Sequence, residues 1–128
     1  MMRLITIQQA IDHIDALKPN MFPVEKKVQW LSDVDSMVFS EIYATHVASP
    51  VAEFHGYADD VDTSLTLLVP EPYTDIYRNY LAMQMDLATA ESTKYTQDML
   101  LFNASYKVFS DFWRSSHRPV IKRKHIRF

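Results

Sequence analysis

The sequence predicts an all-α domain of four helices, and three observations lead there. Apolar residues recur at helical spacing in four separate stretches. Glycine occurs once, at Gly56, in 128 residues, which leaves little material for the tight turns that hairpins and barrels require. Hydrophobic residues make up 48% of the chain, too many for a disordered one. A single domain of this length buries roughly two-thirds of its unfolded surface without staples.

Two prolines and the helix behind them organise the rest. Leu67-Leu68-Val69-Pro70-Glu71-Pro72-Tyr73 runs into a helix expected from Tyr73 to about Glu91. Proline is tolerated at a first helical turn, where its missing N–H has no partner in any case. Ile76, Tyr80, Met83, Leu87 and Ala90 form one stripe, with Tyr77, Leu81, Met85 and Ala88 beside it. Polar residues keep a narrow strip of Asp75, Asn79, Asp86 and Thr89. A helix apolar around more than half its circumference is one that other elements pack against. Tyr73, Tyr77 and Tyr80 read as core or interface aromatics with a polar end.

The first helix opens at Thr6, with Gln9 three residues on to complete a capping box. Ile7, Ala10, Ile11, Ile14 and Leu17 are its buried stripe, and Lys18-Pro19-Asn20 stops it. The second helix is expected from Pro23 to about His46 on Val24, Val28, Leu31, Val34, Val38 and Ile42, widened by Trp30, Met37 and Phe39. The fourth runs from about Lys94 to Ser116, with Tyr95, Met99, Phe102, Tyr106, Phe109 and Trp113 on one stripe, flanked by Leu101, Val108 and Phe112. Thr96, Asn103, Lys107, Ser110 and Arg114 take its opposite face.

Residues 47 to 69 break the pattern and read as a long loop between helices two and three, with room for a short hairpin. Phe54 and Tyr57 flank Gly56, and an acidic patch of Asp59, Asp60 and Asp62 follows. Leu65 to Val69 is either a strand or an extended cover over the core, since periodicity cannot separate the two. Connections this long are usually functional or mobile.

Charge is distributed unevenly. Residues 114 to 128 hold six basic residues and no acid. Of the 13 basic residues in the chain only seven then remain to face all 16 acids, so the body carries about −9 and the tail +6. The expected division is a helical domain over 1–117 and a basic tail over 118–128. That tail mixes Val120, Ile121, Ile126 and Phe128 with Arg118, Lys122, Arg123, Lys124 and Arg127. The mixture favours docking along a protein surface, as an added strand for example, over a purely electrostatic grip on phosphate.

Catalytic patterns are thin. There are no cysteines, so thiolate sites and disulfides are excluded. The five histidines lack the spacing of a zinc-binding helix. Glu53, His55, Asp59, Asp60 and Asp62 are the only residues with the composition of a metal loop, and they lack the EF-hand glycine and terminal glutamate. No nucleophile elbow, Walker loop or dinucleotide fingerprint is present. The expectation is a protein without enzyme activity, cofactor or metal. No apolar run approaches the ~20 residues of a membrane span, and the first residues are too short an apolar run for a signal peptide. A soluble intracellular protein is expected.

The stretches Ala16-Leu17-Lys18-Pro19-Asn20, Trp30-Leu31-Ser32-Asp33, Glu41-Ile42, Leu67 to Tyr73, Asp75-Ile76-Tyr77 and Leu101-Phe102-Asn103-Ala104 carry a resemblance over nearly the whole chain. In these it resembles the small head–tail connector (adaptor) proteins of tailed phages and prophages of Gram-positive hosts. The resemblance implies a helical subunit of a ring beneath the portal, typically of twelve copies, joining capsid to tail. It implies a portal protein and a tail-proximal neck or stopper protein as partners, with DNA passing through the channel without specific binding and no membrane. Location would be the virion neck, and host cytoplasm during assembly. Portal contact would fall to Arg118, Val120, Ile121, Lys122, Arg123, Lys124, Ile126, Arg127 and Phe128, and a channel or inter-subunit role to Phe54, Tyr57, Asp59, Asp60 and Asp62. The alternative is a small helical regulatory or nucleic-acid-binding module that uses the same basic tail.

Overall fold

The structure, a computed structural model, describes residues 2–120. Its order is β1 (Leu4–Thr6), α1 (Ile7–Leu17), α2 (Val24–Val38), a π-helical turn (Phe39–Tyr43), β2 (Thr66–Pro70), α3 (Asp75–Ala88) and α4 (Ser92–Ser116). The domain is mostly helical with the four expected helices, but it is not purely all-α. Strand β1 pairs antiparallel with β2, Leu4 opposite Pro70 and Thr6 opposite Thr66, with an irregularity between. No hairpin forms within the described loop. The apolar run before the prolines is a strand, and its partner is the chain's N-terminal end.

Thr6 joins β1 to α1 by the expected capping box. Its Oγ1 accepts from the Gln9 amide at 3.0 Å, and Gln9 Oε1 accepts from the Thr6 amide at 2.8 Å. The next amides, Ile7 and Gln8, donate to the carbonyls of Leu65 and Thr63, both at 2.9 Å. Helix N-termini always leave such donors over. Here the long loop satisfies them, which fastens it to the start of α1.

Helix α2 was expected to reach His46 but ends at Val38. The chain then widens into a π turn in which Ala44 donates to the Phe39 carbonyl, five residues back, at 2.8 Å. Thr45 Oγ1 returns to the Glu41 and Ile42 carbonyls, so local side-chain bonds take over from a further helical turn. Ile42 and Tyr43, adjacent in sequence, are both buried by this turn.

Helix α3 touches all three other helices and packs most extensively on α4, as its wide apolar arc predicts. Its polar strip is a correction. Asn79 is buried and donates to the Leu101 carbonyl and to Ser105 Oγ of α4, at 3.3 and 3.2 Å. Asp86 is buried and accepts from Lys18 Nζ at 2.7 Å. With α1 on one side and α4 on the other, little of the middle of α3 faces solvent, and its polar groups need partners. Conversely Leu87, Ala88 and Ala90, expected inside, are exposed at the end of the helix. Leu17 and Val24 are likewise exposed at helix ends, and Ser110 of α4 is buried. Among the described residues no helix is long and apolar enough to cross a membrane.

Candidate interaction site: the pinned loop and the root of the tail

The loop from 47 to 65 is fastened from inside by Asp35. This residue lies on the buried side of α2, in helical register with Val28, Leu31 and Val38, and is fully buried. Oδ1 accepts from the Tyr77 hydroxyl of α3 at 2.6 Å. Oδ2 accepts from the Tyr57 hydroxyl of the loop and from the Leu68 amide of β2, the latter at 3.1 Å. The Tyr77 hydroxyl in turn accepts from the Val69 amide at 2.7 Å, and the Tyr43 hydroxyl donates to the Leu68 carbonyl at 2.8 Å. One carboxylate therefore joins α2, α3, β2 and the loop. The inner edge of β2 spends its hydrogen bonds on side chains instead of another strand.

Burial pushes the Asp35 carboxyl up to about 6, and its three donors offset only part of that penalty. Among the described residues it makes no ion pair. Burial, and then the negative charge beside them, hold the hydroxyls of Tyr57 and Tyr77 above the ordinary tyrosine range. Both remain protonated donors at neutral pH. The arrangement is a structural clamp.

Gly56 lets the loop approach this clamp. Its φ is +89°, and a Cβ there would lie 2.6 Å from Ser32 Oγ, the atom that accepts from the Tyr57 amide at 2.9 Å. Both the backbone conformation and the space demand glycine. Gly56→Ala should cost roughly 1–3 kcal/mol and loosen the Tyr57 anchor. Faster proteolytic cleavage near residue 56, with a lower melting temperature, is the expected readout; an unchanged cleavage rate would contradict it.

The sequence-predicted site residues divide accordingly. Phe54 and Tyr57 are half-buried and meet edge to face, with ring centroids 5.1 Å apart. They anchor the loop instead of projecting from it. Asp59, Asp60 and Asp62 are exposed at its tip. Two hydrogen bonds from Ser64 hold the Asp62 carboxyl below the ordinary carboxylate range. Glu53 pairs with His55 at 2.5 Å. Among the described residues no group of three or more His, Asp or Glu side chains is placed to hold a metal ion.

The tail begins as part of the body. Val47 donates to the Arg118 carbonyl and Val120 to the Thr45 carbonyl, both at 2.8 Å, around an antiparallel bridge between His46 and Pro119. Behind it, His117 stacks on Trp113 with centroids 3.7 Å apart. The side chains of Arg118 and Val120 are exposed. Ile121, Lys122, Arg123, Lys124, Ile126, Arg127 and Phe128 lie outside the described residues.

Asp35 was missed as a site residue, although an acid in register with Val28, Leu31 and Val38 of α2 was the signal for it. A second cluster was missed too, around Asp86. Burial raises its carboxyl, but hydrogen bonds from Asp98 and Lys18 and the charges of Lys18 and Lys94 outweigh this, and it ends below the ordinary range. Asp98 is pushed up, by burial and then by the hydrogen bond to Asp86 and its negative charge. Lys18, at the end of α1, brings its charge to these acids at the junction of α3 and α4. No family model, curated protein or solved structure matches this chain.

Proposed function

We propose that this chain is a structural subunit of a phage head–tail connector, a ring of twelve copies seated beneath a portal protein and above a neck or stopper protein. It acts in the virion neck and performs no catalysis. The resemblance over nearly the whole chain supports this reading. The observation that carries it is the pairing of two surface features on one helical domain. One is a loop pinned at Asp35 that presents the acids Asp59, Asp60 and Asp62 to solvent. The other is a basic, partly apolar terminal segment launched from a fixed bridge at Pro119.

In a ring each feature has a mechanical use. Exposed acids on a channel-facing or subunit-facing loop repel DNA and let it slide without sticking. A segment of mixed apolar and basic character adds backbone hydrogen bonds and charge pairing to a partner's surface. A helical module that holds nucleic acid through the same tail is the second reading. It is favoured by six basic residues and no acid across residues 114–128.

Electron microscopy of the protein mixed with the portal of the same phage tests the connector reading. A closed ring beneath the portal is expected, with the loop near residues 58–64 cut by protease in the free subunit and protected in the ring. A portal that stays bare, or equal cleavage in both states, would overturn it.

A further inference from the structure

We propose that the connection between α1 and α2 seats its exposed Met21 in an apolar groove at the opposite end of a second copy of this chain. The groove, of about 520 Å³, lies against the β1–β2 pair and reaches Phe54 and Trp113. That volume is within the ~300–1,000 Å³ typical of pockets that seat a ligand. Met2, Leu4 and Leu65 border it and are 40%, 42% and 46% exposed. Contiguous apolar exposure of this kind marks a surface that another molecule covers.

Met21 is the matching projection. It is 98% exposed, and Leu17 and Val24 on either side are 58% and 45% exposed. Its neighbours are fixed. Asn20 Nδ2 donates to the Asp15 carboxylate and to the Lys18 carbonyl, both at 2.9 Å, and Asn20 Oδ1 accepts from the Phe22 amide at 3.1 Å. The Phe22 ring meets Trp30 edge to face, with centroids 5.2 Å apart. Pro19 and Pro23 restrict the backbone further. A large apolar side chain is thus held away from the body by a rigid turn, and seating it costs little ordering entropy.

Geometry and charge choose the occupant. Met21 borders a depression together with Lys94, near the start of α4, whereas Trp113 of the groove lies near that helix's end. Nineteen residues at ~1.5 Å each separate these two by about 28 Å of helix, so a subunit does not fill its own groove with its own Met21. A second groove is the wrong partner. Asp59, Asp60 and Asp62 lie between the lining residues Tyr57 and Leu65, and two grooves face to face would bring both sets of acids together. Around Met21 the exposed ions balance, Glu25 and Glu91 against Lys26 and Lys94. The contact is therefore head to tail, between different surfaces of identical chains. It needs no portal, so it stands or falls apart from the connector reading.

The chain has no cysteine, so introduced thiols report without background. Met21→Cys and Leu65→Cys chains, one of them carrying an affinity tag, are mixed and treated with a short bismaleimide. Their mixed product should form about fivefold faster than that of Met21→Cys with Leu100→Cys. Leu100 is 62% exposed on α4 and lies outside both surfaces. Equal rates would overturn the proposal. Met21→Asp changes a side chain that touches little of its own fold, so its melting should match the wild type. Its self-association, read by sedimentation, should be about tenfold weaker. Unchanged association, or a wild type that stays monomeric at ~1 mM chain, would also overturn the contact. A ring on the portal without the cross-link between positions 21 and 65 would overturn it too, while leaving the connector reading standing.

Discussion

Phe109→Ala should lower the stability of the domain by roughly 3–5 kcal/mol, the range for large aromatic truncations in a packed core. Phe109 is completely buried on α4. Its ring meets Tyr43, Tyr73, Phe112 and Trp113, with centroids 5.5 to 6.4 Å apart. These partners come from the π turn, the segment leading into α3, and α4 itself, so the cavity cannot close by moving one element. The loss also exceeds the transfer term because four aromatic contacts disappear together. Chemical denaturation of the variant measures it, and a loss below about 1 kcal/mol would mean that this side chain is not central to the core.

Asp35→Ala should be comparably severe, about 3–5 kcal/mol at pH 7. It would strand the hydroxyls of Tyr57 and Tyr77 and the amide of Leu68 in a dry interior, each at a cost of about 1–3 kcal/mol. Relief from burying a carboxylate offsets part of that sum. Asp35→Asn should cost less, because its carbonyl can still accept from Tyr57 and Leu68 while its amide donates to Tyr77.

The asparagine variant also isolates a pH effect whose sign follows from the buried carboxyl. Its folded value of about 6 lies above the ordinary 3.8. The folded state therefore binds the proton more tightly, and the stability so gained is full below about pH 4 and lost as pH rises through 6. Each pK unit corresponds to about 1.4 kcal/mol, which bounds this contribution at about 3 kcal/mol. Asp98, also raised, adds a term of the same sign. The wild type should thus lose more stability than Asp35→Asn between pH 4.5 and 7. Parallel stability curves would contradict the clamp.

The helices were legible because periodicity and stop signals are local. Thr6 with Gln9, Pro19 and Pro23 each declared a boundary that the structure keeps within a residue or two. The pairing of β1 with β2 was not legible. It joins residues about sixty positions apart, and Leu4 to Thr6 is too short to show an alternation of its own. The π turn was hidden for a different reason: Ile42 continues the apolar stripe of α2, and nothing in the spacing marks the carbonyl of Phe39 as bonding one residue further on. Asn79 and Asp86 were misplaced because a polar residue on a helix reads as solvated until the neighbours on both sides are known.

Of the candidate site, the aromatics around Gly56 and the basic tail were visible as composition. The inward anchoring of Tyr57 was not, because it depends on Asp35, 22 residues away. The same loop that looked free in the sequence is tied at Ile7, Gln8, Ser32 and Asp35. Its exposed acids are consequently held at a fixed place on the surface.

The most direct test of the connector reading compares the full chain with a variant lacking residues 119–128, in binding both to the portal of the same phage and to duplex DNA. Losing the bridge at Pro119 removes only exposed residues from the described part of the body, so the helical signal and melting should barely change. The account predicts that portal binding disappears with the tail. A nucleic-acid-binding tail predicts instead a non-specific DNA affinity that falls with salt, with a log–log slope of up to about −5 for six neutralised phosphates. Portal association that survives the deletion, beside salt-sensitive DNA binding that does not, would contradict the account.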